Sequence, residues 1–227
     1  MDMRPLTGIR ACVFDAYGTL FDYASAAARA RDVLGGDFER LTTLWRDKQL
    51  QYTWLRTIEG RHADFWQVTG DALDFALDSL GLAPEGLRDR LMNLYLKLEM
   101  FSDAAEALTN LKASGFTVAI LSNGSPRMLS AMIENSRTAA LFDTVLSVEE
   151  VGVFKPHPRV YQLAVDRLGV PAEAIMFSSS NAWDAFGASV FGMRVVWCNR
   201  YNHRAERLPG TPDRVVASLT QLPALLG

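Results

Sequence analysis

Apolar positions along the chain change their period more than once. Ile9–Phe14 is an unbroken apolar stretch apart from Arg10, and it ends in Asp15, followed by Gly18 and Thr19. It reads as a buried strand that delivers Asp15 at its carboxyl end, with a turn at Gly18. From Tyr23 to about Lys97 the spacing is helical and predicts no strand. Helices are expected over Tyr23–Leu34, Asp37–Ile58, Ala63–Leu80 and Pro84–Leu98, with glycine stops at Gly35-Gly36, Gly60 and Gly81. The last begins at a proline, which suits a helix N-terminus.

From Phe101 the pattern alternates. Helices are expected at Ser102–Ser114, Pro126–Asn135, Pro158–Leu168, Ala182–Phe191 and Leu219–Leu226. Strands are expected at Phe116–Leu121, Phe142–Ser147, Ala174–Ser178 and Arg194–Cys198. Short strands separated by helices of about ten residues predict a parallel sheet with right-handed crossovers. The fold class is therefore α/β: a doubly wound, Rossmann-like parallel sheet core with an inserted helical cap. Residues 1–22 and 99–227 form the core in this reading, and 23–98 form the cap.

Composition narrows the functional classes. The 227 residues are 49% hydrophobic, enough for one large core or a core with a smaller lobe. The net charge is −3 and no basic run occurs, so no nucleic-acid partner is expected. No apolar segment approaches the ~18 residues of a membrane span. Met1–Thr7 lacks the apolar stretch of a signal peptide. Cys12 and Cys198 both fall in strand-like runs and read as small buried hydrophobes in a reducing compartment. The expected setting is the cytoplasm, away from membranes. His62, His157 and His203 form no ligand spacing, and no metal or cofactor is expected.

Polar groups gather at the strand exits. The first exit carries Asp15 and Thr19, the second Ser122 and Asn123, a third region Lys155, and a fourth Ser179, Asn181 and Asp184. In a doubly wound sheet these exits face one crevice. A carboxylate there can act as a nucleophile, and a lysine nearby favours its charged form. Each residue alone also has an ordinary explanation. Asp15 could form a turn, Ser122-Asn123-Gly124 could be a plain loop, Lys155 a solvated charge and Asp184 a helix-start carboxylate. Their occurrence in order, each at a strand exit, favours chemistry.

Asp15-x-x-Gly18-Thr19, Leu121-Ser122-Asn123-Gly124, Lys155-Pro156 and the late strand leading to Asp184 resemble the haloacid dehalogenase superfamily over essentially the whole chain. Two longer stretches resemble the L-2-haloacid dehalogenases in particular: Leu44–Arg56 and Ser179-Ser180-Asn181-Ala182-Trp183-Asp184. Phosphatases of the superfamily carry a second aspartate two residues after the nucleophile, where this chain has Tyr17. They also hold Mg²⁺ with a pair of late acids, where this chain has Ser180 and Asp184. Both departures disfavour phosphate chemistry, whereas a halide leaves unprotonated and needs neither group.

The resemblance implies that Asp15 attacks C2 of an L-2-haloalkanoate to form an ester that water hydrolyses. Lys155 and Asp184 then support the nucleophile and the water, and Thr19 and Asn181 orient Asp15. Ser122 holds the substrate carboxylate, and Arg46 stabilises the halide with Asn123 nearby. Ser179 stands behind these groups. Tyr17, Leu50, Phe65 and Trp183 are expected as the apolar wall; Tyr161 either supports the site or packs in the core. Arg46, Leu50 and Trp54 recur at helical spacing and share a face, which could equally pack within the cap. Asp47, where relatives often have an uncharged amide, is expected to weaken binding of an anion unless it is paired or solvated. Two alternatives stay open: a Mg²⁺-dependent phosphatase, and a binding protein without catalysis. The apolar stripes of the cap are expected to support a homodimer.

Overall fold

The computed structural model describes residues 5–226; Met1–Arg4, part of the stretch read above for a leader, and Gly227 lie outside them. In chain order the elements are β1 (Ala11–Phe14), β2 (Phe21–Asp22), α1 (Ala24–Ala28), α2 (Arg31–Leu34), α3 (Phe38–Glu59), α4 (Phe65–Leu80), α5 (Leu87–Tyr95) and β3 (Glu99–Met100). They continue with α6 (Ser102–Ala113), β4 (Thr117–Ser122), α7 (Pro126–Ser136), β5 (Thr144–Ser147), α8 (Pro158–Leu168), β6 (Ile175–Ser179), α9 (Ala182–Phe191), β7 (Arg194–Cys198) and β8 (Arg214–Val216).

Six strands form one parallel sheet in the order β5-β4-β1-β6-β7-β8. The chain winds outward from β1 through β4 to β5, then returns to β6 on the other side of β1. The direction of winding therefore reverses at β1, and ligands bind beyond the carboxyl ends at such a point. Phe14 stands opposite Ser178 in register, and the Asp15 amide donates to the Ser178 carbonyl at 3.0 Å. All four β1 residues are buried, as expected of a strand covered on both faces.

A separate two-stranded antiparallel ribbon pairs Phe21 with Met100 and Asp22 with Glu99. Helices α1–α5 all lie between these two short strands, so the chain leaves the sheet layer and re-enters it side by side. The buried stripe of α3 is Leu41, Trp45, Gln49 and Thr53, and it packs on α4. Gln49 satisfies its amide inside that interface: Nε2 donates to Thr69 Oγ1 at 2.8 Å and to Tyr95 Oη at 3.1 Å.

Two expectations are corrected. Tyr23–Leu34 is two short helices, broken at Arg29 and Ala30. The break frees the Arg29 carbonyl, which accepts from Arg90 Nη2 at 3.0 Å, so a tertiary contact overrides the helix propensity of the alanines. Leu219–Leu226 is two 3₁₀ turns, because Pro223 has no N–H to continue a helix. The ribbon strands β2 and β3 and the edge strand β8 were not anticipated; each has only two or three residues.

Candidate active site

Asp15 is the first residue beyond β1, and Gly18 makes the turn behind it. Gly18 has φ +86°, a region that a side chain rarely adopts. Its amide donates to the Phe21 carbonyl at 2.7 Å, folding the loop back so that Thr19 returns to Asp15. Thr19 Oγ1 donates to Asp15 Oδ2 at 2.9 Å, and Asn181 Nδ2 donates to the same oxygen at 2.8 Å. Asp15 Oδ1 accepts from Lys155 Nζ at 3.1 Å. Both carboxylate oxygens are thus held by donors from three different loops.

Lys155 is completely enclosed and lies between two acids. Its Nζ also donates to Asp184 Oδ2 at 2.8 Å and stands 4.9 Å over the Phe177 ring. Burial alone would lower the Lys155 pKa, but Asp15 and Asp184 outweigh it and raise the value above the ordinary lysine range. Asp184 is also fully buried. Burial raises its pKa above that of a free carboxylate, partly offset by Lys155, with Asp15 adding to the rise. Tyr161 Oη donates to Asp184 Oδ1 at 2.8 Å, which satisfies the remaining oxygen. Burial and then Asp184 push the Tyr161 phenol well above its usual pKa, so it is a donor here.

The loop after β4 supports this cluster from the other side. Asn123 Oδ1 accepts from the Lys155 amide at 3.0 Å, and Ser122 Oγ accepts from the Gly124 amide at 3.1 Å. Gly124 itself is required by close approach: a Cβ there would lie 2.8 Å from the Tyr17 ring. Ser179 Oγ accepts from the Asn181 amide at 3.1 Å and so shapes the loop that carries Asn181, without reaching Asp15.

The inserted helices contribute Arg46 from α3. Its Nη2 donates to Asn181 Oδ1 at 3.2 Å, its Nη1 donates to Gln49 Oε1 at 2.7 Å, and the guanidinium stacks 4.8 Å from the centre of the Tyr23 ring. Phe65 packs on Tyr17 at 5.3 Å, and Tyr95 stacks on the same ring at 5.5 Å. Trp66, which could have taken the place of Phe65, instead lies under Arg127 at 5.3 Å. Trp54 meets Trp183 edge-on at 5.6 Å across the gap between α3 and α9. Leu50 lies half-buried on the same face of α3, between Arg46 and Trp54. Asp47 is exposed, beside Glu39, Arg40 and Thr43 on the outer surface of α3, and does not face the cluster.

Clefts open beside these residues. One of about 320 Å³ is lined by Gly18, Tyr23, Asn181, Trp183 and Arg200, and one of about 420 Å³ by Trp54, Phe154, Lys155 and Trp183. Tyr23, Gln49 and Tyr95 join the site without standing out in the sequence as candidates. Gln49 carried a usable signal, since a polar residue on the buried stripe of an amphipathic helix must find partners. Tyr23 and Tyr95 carried none, being ordinary aromatics at the ends of helical stretches. Cys12 lies fully buried in β1, where burial pushes its thiol up to about 12, which leaves it unsuited to nucleophilic attack.

Residues 9–192 match the model of the haloacid dehalogenase-like hydrolases. The chain is 48% identical to (S)-2-haloacid dehalogenase 1 of Pseudomonas sp. (strain CBS-3), over 96% of each chain. It superposes with a TM-score of 0.95 on a crystal structure of a dehalogenase with an intermediate complex, at 46% identity over 97% of this chain and 98% of that one. The L-2-haloacid dehalogenase of Xanthobacter autotrophicus with chloropropionic acid covalently bound gives 0.90 at 40% identity, over 96% and 98%. A nucleophile-ready carboxylate at the switch point of a doubly wound sheet, and near-full-length similarity of this degree, place the chain in the haloacid dehalogenase-like hydrolases, within the group of (S)-2-haloacid dehalogenases.

Proposed function

We propose that the protein hydrolyses L-2-haloalkanoic acids to D-2-hydroxyalkanoic acids and halide through an ester on Asp15. In the first step an Asp15 carboxylate oxygen attacks C2 from the side opposite the halogen. The new C–O bond forms as the carbon–halogen bond breaks, halide takes the electron pair, and C2 inverts. In the second step water adds to the Asp15 carbonyl carbon. The acyl C–O bond breaks, the hydroxy acid leaves, one proton is released and the Asp15 carboxylate returns.

The observation that carries this reading is the position of the Asn181 amide. Its Nδ2 donates at once to Asp15 Oδ2 at 2.8 Å and to the Tyr17 carbonyl at 2.9 Å. Two converging oxygens of this kind are what a hard cation would bridge. Here a neutral donor fills the place, and Lys155 supplies positive charge to both acids. The donor set therefore suits a carboxylate nucleophile better than a Mg²⁺-assisted phosphatase, and Tyr17 stands where such a phosphatase would carry its second aspartate.

The other roles follow from position. Lys155 and Asp184 orient Asp15 and polarise the hydrolytic water, and Thr19 and Asn181 fix the carboxylate plane. Ser122 and loop amides receive the substrate carboxylate. Arg46 receives the departing halide with Asn123 nearby; its charge is permanent and weakly hydrated. Tyr17, Leu50, Phe65 and Trp183 form the apolar wall around C2 and the alkyl chain. Tyr161 and Ser179 hold Asp184 and the Asn181 loop. Residues 23–98 act as a cap over the core residues 1–22 and 99–227. The protein works in the cytoplasm as a homodimer. Support for dimerisation comes from apolar side chains left outside, Ile58 at 81% exposure and Leu55 at 45% on α3.

Halide release from L-2-chloropropionate in the presence of EDTA tests the activity, with the D-isomer as control. Release of phosphate from phosphate monoesters with Mg²⁺, and no halide, would establish the phosphatase instead. With enzyme in excess in ¹⁸O-water, the label should enter Asp15 and the first product should be unlabelled; a labelled first product rules out the ester. Light scattering checks the dimer, and a monomer at micromolar concentration refutes it.

A further inference from the structure

Arg200, the second residue after β7, makes no contact with Asp15, yet it binds two of the three loops that hold Asp15. Its Nη2 donates to the Thr19 carbonyl at 2.9 Å, and its Nη1 donates to Ser180 Oγ at 2.6 Å. Those two residues are themselves joined, since the Ser180 amide donates to Thr19 Oγ1 at 2.8 Å. Thr19 Oγ1 has therefore one acceptor role toward Ser180 and one donor role toward Asp15 Oδ2, and that pair of bonds fixes its rotor. The guanidinium is anchored from behind. Nη2 also donates to Asp103 Oδ1 at 2.8 Å, and the Phe101 ring lies 4.3 Å below. The Arg200 and Asp103 side chains are only 11% and 17% exposed. Asp103 Oδ2 accepts from the Leu219 amide and from Ser218 Oγ, which ties the anchor to the turn after β8.

We infer that Arg200 is a positioning residue for the nucleophile. It sets the height of Thr19 and Ser180 relative to each other, and Thr19 in turn sets the plane of the Asp15 carboxylate. The planar fork matters because three acceptors in different directions are met by two nitrogens of one rigid group, which a lysine cannot reproduce. Phe101 directly follows β3, Asp103 lies in the first turn of α6, and Thr19 precedes β2, so the same guanidinium also clamps the base of the inserted helices where they join the core. Ser180 stands where a phosphatase of this superfamily would carry an acid; here its hydroxyl is an acceptor for a fixed cation.

The kinetic test of this inference rests on the dehalogenase reading; a structural test does not. In Arg200→Met, kcat for halide release should fall about 100-fold, the scale of a ~1 Å misplacement of reacting groups. KM should change little, because Arg200 spends its donors on Thr19, Ser180 and Asp103, none of which is assigned to the substrate. Millimolar guanidinium should restore part of the rate in the folded variant, and Arg200→Lys should recover less than the added ion does. A kcat within about twofold of the unmodified enzyme, a loss in KM alone, or a loss that only tracks the unfolded fraction by circular dichroism would each overturn the inference. An unmodified enzyme that releases no halide defeats the dehalogenase reading instead. In that event the crystal structure of the variant decides: loss of the Thr19 Oγ1–Asp15 Oδ2 bond supports the positioning role, and an unchanged bond ends it.

Discussion

The two walls of the site are built differently. The core wall holds Asp15, Thr19, Lys155 and Asp184, all buried, with both carboxylates' oxygens occupied by donors. On the cap wall, Phe65, Gln49 and Tyr95 are buried, but Arg46, Leu50, Trp54 and Tyr23 in front of them are partly exposed and fastened by few bonds across the gap. A buried charge that loses its partner is costly, so the core wall tolerates little motion. The cap wall faces the clefts, where small anions must enter and leave. On the proposed reaction, the enclosed wall is where the bond to carbon would form, and the more open one is where the ions would pass.

Replacing Lys155 by Met should give the largest effect. It leaves Asp15 and Asp184 facing each other without a cation, and breaking such a buried pair costs about 3–5 kcal/mol. Turnover should be lost beyond detection and thermal unfolding should move down strongly; a folded, active Lys155→Met would abolish the distinction between the walls. Arg46→Lys should act on the other wall. It keeps the charge but loses the fork that reaches Gln49 and Asn181, so halide release should fall about 10- to 100-fold with little change in unfolding temperature. If stability falls as far as for Lys155→Met, the cap wall is as rigid as the core wall.

Acid should act on the core wall alone. Burial raises the Asp184 pKa above the free carboxylate value, and the Tyr161 hydrogen bond pulls it partly back. Activity should therefore be lost as pH falls through the raised Asp184 value, and Tyr161→Phe should move that acid limb to higher pH. A shift to lower pH, or none, in the kcat/KM profile contradicts the assignment. The smallest effect belongs to Asp47→Asn. The side chain lies outside the site, so KM should change by less than about twofold, the size of a screened surface charge. A large fall in KM would mean that Asp47 reaches the substrate.

What was legible in the sequence follows the same division. The parallel strands and Asp15, Lys155 and Asp184 were readable because apolar runs ending in polar residues are a local signal. The ribbon of β2 and β3 was not, because two residues per strand carry no period. Arg200 was also invisible: an arginine after a strand reads as surface, and only the fold brings Phe101, Asp103, Thr19 and Ser180 around it. For Gln49, periodicity placed the residue on α3 but could not say that it would hold Arg46. The sheet was thus written in neighbours along the chain, and the support of the site in neighbours through space.

The lysine between two acids has a further consequence once Arg46 is counted with it. By formal charge, Asp15 and Asp184 balance Lys155 and Arg46, so these four groups sum to zero before substrate binds. A 2-haloalkanoate brings one negative charge into it. Displacement consumes the Asp15 charge by esterification and hands one to the halide, so the excess persists until halide escapes. Once it has gone, the ester-bearing site is neutral again, with the bound carboxylate taking over the share that Asp15 gave up. The departure of halide is therefore favoured by the field that its own formation leaves unbalanced, and the ester waits for water in a site with no net charge.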